Sequence, residues 1–154
     1  MKKIERLLWS IAFPGFGQLL NHDYIKGIVF ILLELLINTH GHFNMTIAYS
    51  FRGEIDLAFA EANIGWLMFY PCVYFYSMWD AYKNANEPVS TYTSLPFVFS
   101  AFCVTVGVML APMIQFPAFR PGPVFFPMLC VIPGVGIGLI LKFILSQSFN
   151  KEES

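Results

Sequence analysis

The chain has 154 residues and a net charge of −1; 56% of it is hydrophobic and 12% charged, with 17 phenylalanines. A soluble domain carries roughly 25% charged residues, and one this small cannot bury so much apolar surface, so lipid is the expected solvent. With no basic face to neutralise phosphates, nucleic acid is excluded as a partner.

Residues 7–20 are apolar but too short for the roughly 20 residues that a spanning helix needs. Pro14-Gly15 interrupts the hydrogen-bond ladder halfway. The expectation is a re-entrant or in-plane short helix, followed by a polar turn at Asn21-His22-Asp23-Tyr24. Met1-Lys2-Lys3 resembles the start of a signal peptide, but the broken run and the lack of a small-x-small site argue against a cleavable one.

Residues 25–38 predict a second helix, apolar except for Glu34. Each of its strongly apolar residues favours insertion by about 0.3–0.6 kcal/mol, and a central acid opposes it by about 3 kcal/mol. The balance is close to zero, so this helix is expected to insert with help from its neighbours. Residues 43–60 are more polar, yet Phe43, Ile47, Phe51, Ile55 and Phe59 recur every fourth residue. That stripe predicts an amphipathic interfacial helix. Residues 64–79 predict an aromatic-rich helix containing Pro71 and ending on Trp79-Asp80-Ala81-Tyr82-Lys83, rings and charges suited to a membrane interface. A polar connector follows, then helices at 95–114 and 124–145, joined by a Pro- and aromatic-rich turn. Lys151, Glu152 and Glu153 form a solvated end.

Orientation follows from Lys and Arg. If residues 7–20 turn back, Lys2, Lys3, Arg6, Lys26, Lys83, Lys142 and Lys151 share one side and only Arg52 and Arg120 the other. If they cross, the cations divide almost evenly. The positive-inside rule favours the first arrangement. The expectation is therefore a single all-α polytopic membrane domain over 1–154. It has four full transmembrane helices plus the re-entrant segment, lies in the cell membrane, and has both termini in the cytoplasm.

Glu34 is the sharpest candidate residue, because an ionisable group at membrane depth marks a functional site by default. Asn38, His40 and Glu61 are its candidate partners near the same leaflet. The alternative is a neutral acid hydrogen-bonded between helices. His40 and His42, with Glu54 and Asp56, do not have a recognised metal-ligand spacing, so no metal or other cofactor is expected. Cys72, Cys103 and Cys130 lie in apolar runs and read as buried, inert thiols, with Cys72 and Cys103 at similar depth. Gly134 and Gly138 have the G-x-x-x-G spacing of close helix packing. The IPGVGIGLI stretch around them echoes FPGFGQLL near the start. Two interrupted helices can meet at a midplane site; the simpler reading is tolerated Pro-Gly pairs. No nucleophile elbow, H-E-x-x-H or P-loop is present.

The stretch from Pro14 through Gly15, Gly17, Gln18, Asn21 and Lys26 to Gly27 resembles the turn of the two-transmembrane (TM-two) domain family. There a glycine-rich apolar end leads into G-x-[HD]-R-F-Y-L-G and a second apolar helix. Trp79-Asp80 resembles the family's closing tryptophan and aspartate. The resemblance covers roughly residues 7–85, with an insertion at 38–60, and Asp23-Tyr24 replaces the family's Arg-Phe. It implies membrane residence and the turn, and no mechanism. The functional expectation is a non-enzymatic scaffold or accessory subunit, acting through helix contacts with other membrane proteins or with itself. The alternative is a small proton, ion or solute transporter that uses Glu34.

Overall fold

The computed structural model describes residues 2–85, 88–116 and 120–152, with side chains to 148. The acidic tail expected at Glu153 lies outside these residues, as do parts of the connector and of the Pro-rich turn. The described residues are all-α, with no strand: α1 Lys2–Ala12, α2 Phe16–Leu20, α3 Tyr24–Gly41, α4 Phe43–Phe51, α5 Ile55–Glu61, α6 Ile64–Leu67, α7 Tyr70–Lys83, α8 Leu95–Leu110, α9 Gly122–Leu129 and α10 Val131–Glu152. A 3-10 turn, Ala111–Met113, extends α8.

Among the described residues, three stretches are long and apolar enough to cross a membrane: Tyr24–Gly41, Leu95–Met113 and Gly122–Ser148. The aromatic segment expected as a fourth span is interrupted between α6 and α7. Proline explains this break and the next. Its missing N–H deprives the carbonyl four residues back of a partner. Pro71 does this to Leu67, where α6 ends, and Pro133 to Leu129, where α9 ends. The second interruption therefore falls at Cys130, not at the Pro133-Gly134 pair itself. Pro133 sits in the first turn of α10, where no intrahelical donor is required. The helix expected over 43–60 is also two helices, separated at Gly53, whose φ is +78°.

The burial pattern is inverted relative to a soluble domain. Ser10, Gln18, Thr46, Ser77 and Ser100 are buried, while Ile25, Ile132 and Phe102 are 81%, 71% and 64% exposed. Small and polar residues inside, with large apolar ones outside, are consistent with helices packed in lipid. Helix α7 is central and packs on α1, α2, α3 and α8; α8 in turn packs on α9 and α10. Helices α4, α5 and α9 gather at the end where α3 finishes.

The first two helices form a hairpin. Tyr74 Oη donates to Ile11 O at 2.8 Å, so the far end of α1 lies beside the middle of α7. The chain reverses at Pro14-Gly15, where Gly15 has φ +103°. It returns to Asn21, whose Nδ2 donates to Ala81 O at 2.8 Å. From Ala81 to Tyr74, α7 rises about 10 Å at 1.5 Å per residue. That is about a third of the ~30 Å hydrocarbon thickness.

Candidate functional site

Two polar features are buried among these helices. The first is a clamp at the base of the hairpin. Gln18, on α2, is fully buried. Its Nε2 donates to Ser77 O at 2.8 Å and to Asp80 Oδ2 at 3.2 Å. The Gly15 N–H, at the start of α2, donates to Ser77 Oγ at 3.2 Å. Asp80 Oδ1 accepts from Lys26 Nζ at 2.8 Å and from Asn84 Nδ2 at 3.0 Å. Asp80 is buried and Lys26 half-exposed, so the pair is anchored at the protein and wet at its outer end.

The two stretches that carry the sequence resemblance thus meet in space. Gly17 gives α2 room against Ala81, Ser10 and the Arg6 carbonyl. Gly27 does the same on α3, where a Cβ would lie 2.6 Å from Leu19 and 3.1 Å from the Gly15 carbonyl. Pro14 is fully buried. Trp79 packs its ring on Phe97 with centroids 5.9 Å apart, and Lys83 Nζ lies 6.0 Å from the same ring. Sequence reasoning singled out Asp80 and the glycines and named Gln18 and Lys26 only as part of the resembling stretch; it missed Ser77, the burial of Gln18 and the Lys26–Asp80 pair. The available signal was a buried-length polar residue, Gln18, inside an apolar run. Every carboxylate and amide oxygen at the centre of the clamp is paired, which suits a fastening rather than a reaction centre.

The second feature is Glu34. Gly27, Phe30, Glu34, Ile37 and Gly41 form the buried stripe of α3. This stripe faces α6 and α7, with Phe30 against Tyr76 and Gly41 against Leu67. Glu34 is 5% exposed. The Tyr70 side chain is its polar neighbour, and its Oε2 has no hydrogen-bond partner. Tyr70 stacks on Tyr74 with centroids 5.5 Å apart.

The structure does not bring Glu34 to the partners expected from sequence. Asn38 exchanges hydrogen bonds with Asn44. His40 bonds Leu36 O and stacks on Trp66. Glu61 pairs with His42 Nδ1 at 2.8 Å. Helix α3 ends at Gly41, and His42 adopts φ +52° there. Asn38 and His40 fall outside the buried stripe of α3, and the turn at His42 holds Glu61 away from it. Asn38, His42 and Glu61 line an open depression of ≈ 320 Å³ with Thr39, Asn44 and Met45. Among the described residues, no three His, Cys, Asp or Glu side chains gather as metal ligands.

Gly134 and Gly138 lie against α8. A Cβ on Gly134 would stand 2.6 Å from Ser100 Cα, and one on Gly138 2.7 Å from the Leu95 carbonyl. Gly15 instead packs on Gly27 and Ile31 of α3, so the two Pro-Gly echoes serve different helix pairs. The cysteines are free. Contrary to the expectation of burial, Cys72 is exposed on α7, and Cys103 and Cys130 are partly so. Cys130, against Gly107 of α8, is the thiol in the neighbourhood of Cys103.

Comparison with protein-family models, with curated proteins and with solved structures gives no match.

Proposed function

We propose that this chain is a non-enzymatic, multi-pass cell-membrane protein that works as a scaffold or accessory subunit through helix contacts with other membrane proteins or a second copy. The observation that carries this reading is the commitment of its polar groups. Gln18, Ser77, Asp80, Lys26 and Asn21 bond one another or nearby backbone, and Gly134 and Gly138 of α10 are used within the chain. What remains outward is apolar. Beyond Gly138, opposite the start of α8, α10 continues with Leu139, Ile140, Phe143 and Ile144 exposed.

In this reading the three long helices cross the bilayer, and α6 with α7 makes a fourth crossing. The α1–α2 hairpin dips about 10 Å in and returns, with both termini cytoplasmic. Its depth along α7, about seven residues at 1.5 Å each, supports that arrangement. So does the separation of charge, since Lys26 and Arg6 lie at the hairpin base while Arg120 pairs with Asp56 on α5. The first half then follows the TM-two domain pattern, with the polar turn fastened to the Asp80 end of α7.

The test is cross-linking in intact membranes followed by purification in mild detergent. A reproducible partner or a cross-linked dimer is the expected result. A chain that stays monomeric and unaccompanied in both settings overturns the scaffold reading. One observation favours a second reading, a small proton transporter: the unpartnered Oε2 of Glu34 between α3 and α7. A proton flux in liposomes that disappears in Glu34→Gln supports it, and no flux removes it.

A further inference from the structure

We propose that Glu34 is an intramembrane proton-binding carboxyl, and that it is the group on this chain which a membrane-soluble carbodiimide modifies. The inference rests on the membrane placement of α3 and on neither the scaffold nor the transport reading.

The geometry singles out a proton rather than a metal or an organic cation as the ligand. A cation site needs several oxygens around the ion, and Glu34 has one neighbour of that kind, Tyr70. The next phenol, on Tyr74, is committed to the Ile11 carbonyl at 2.8 Å. Among the described residues, the elements packed on α3 bring no cation to Glu34: Lys83, at the opposite end of α7 from Tyr70, lies over the Trp79 ring. Lys26, about 12 Å away along the helix at 1.5 Å per residue, is held by Asp80. His40, about 9 Å away by the same rise, bonds Leu36 O, and His42 bonds Glu61. On α7 the facing groups are Tyr70, Tyr74 and, beyond them, the paired Asp80. An ionised carboxylate that is 5% exposed and has a bare, unpartnered oxygen is strongly disfavoured in hydrocarbon. A bound proton removes the charge.

That state has a distinctive reactivity. The acid proton passes to one nitrogen of the carbodiimide, and a carboxyl oxygen adds to its central carbon to form an O-acylisourea. With no water beside it, the acyl group migrates from oxygen to nitrogen and leaves a stable N-acylurea. No group leaves and nothing is oxidised, so the protein gains the whole mass of the reagent. Access is from the lipid side of α3, where Ile31 and Asn38, about one turn to either side of Glu34 on the same face, are partly exposed. The other described carboxylates differ. Glu5, Glu54, Asp56 and Glu61 pair with cations or His42 at exposed sites, Asp80 is saturated by donors, and Asp23 lies partly exposed in the polar turn before α3.

The experiment treats the full-length protein in liposomes at pH 7 with dicyclohexylcarbodiimide and reads intact mass and peptide maps. The expected result is one equivalent per chain, on the peptide containing Glu34, and its loss in Glu34→Gln. A water-soluble carbodiimide with an added amine should instead modify exposed carboxylates such as Asp56 and spare Glu34. Absence of the lipid-soluble adduct from Glu34, in wild-type protein whose Asp56 reacts normally, overturns the proposal. So does equal modification of Glu34 by the water-soluble reagent. A Glu34 adduct in a sample with no proton flux supports the binding site while removing the transport reading, so the two fail separately.

Discussion

Arg6 Nε donates to Asn21 Oδ1 at 3.2 Å across fifteen residues of chain, which brings together the two ends of the segment interrupted at Pro14-Gly15. If that segment lies in a bilayer, both ends face one compartment. Single cysteines placed at Lys2, Asp23 and Ser148 in a cysteine-free variant should react with an impermeant maleimide from the same face of sealed vesicles. A cysteine at Arg52 should react from the other. Grouping of Asp23 with Arg52 would mean that the first segment crosses.

Asp80 receives three side-chain donors, from Gln18, Lys26 and Asn84. Asp80→Ala leaves the buried Gln18 amide short of an acceptor. It also strands Lys26, whose half-exposed position limits the loss. A destabilisation of about 1–3 kcal/mol is expected, read as a lower unfolding temperature in detergent. Asp80→Asn, which keeps an acceptor in place, should lose less.

Gly138 and Gly136 lie two residues apart on α10 and should respond oppositely. A Cβ on Gly138 runs into the backbone of Pro96 and Leu95, whereas one on Gly136 meets nothing within 4 Å. Gly138→Ala should cost about 1–3 kcal/mol through overpacking. Gly136→Ala should be neutral or stabilising by up to about 1 kcal/mol, because alanine favours helix. Thermal unfolding of the two variants side by side measures the difference.

The His42–Glu61 pair is solvent-facing, with both side chains at least a third exposed. Glu61→Gln should therefore change stability by less than about 1 kcal/mol and leave the fold intact. A large loss on unfolding would mean that the α3–α4 junction depends on this contact.

The apolar runs and the Pro14-Gly15 interruption made the helical class and the hairpin legible in sequence. The interruption was readable because proline and glycine act locally, through a missing donor and a left-handed φ. The buried partners were not readable, because Gln18 meets Ser77 and Asp80 only once α2 has folded back onto α7. The same limit applies to Glu34. Its stripe position on α3 follows from helical spacing, but nothing local indicates that Tyr70 covers it while Asn38, His40 and Glu61 turn away. The breaks near Leu67 and Leu129 were misplaced because a proline acts on the carbonyl one turn before it.

The cover over Glu34 also sets an order of events during synthesis. Helix α3 is completed well before Tyr70 is made, so its acid emerges with no phenol beside it. If α3 spans a bilayer, its insertion is a waiting state, closed when α7 arrives with Tyr70 for the acid and Asp80 for Lys26. A ribosome stalled just ahead of Tyr70 should hold a nascent chain whose α3 still exchanges between the translocation channel and lipid.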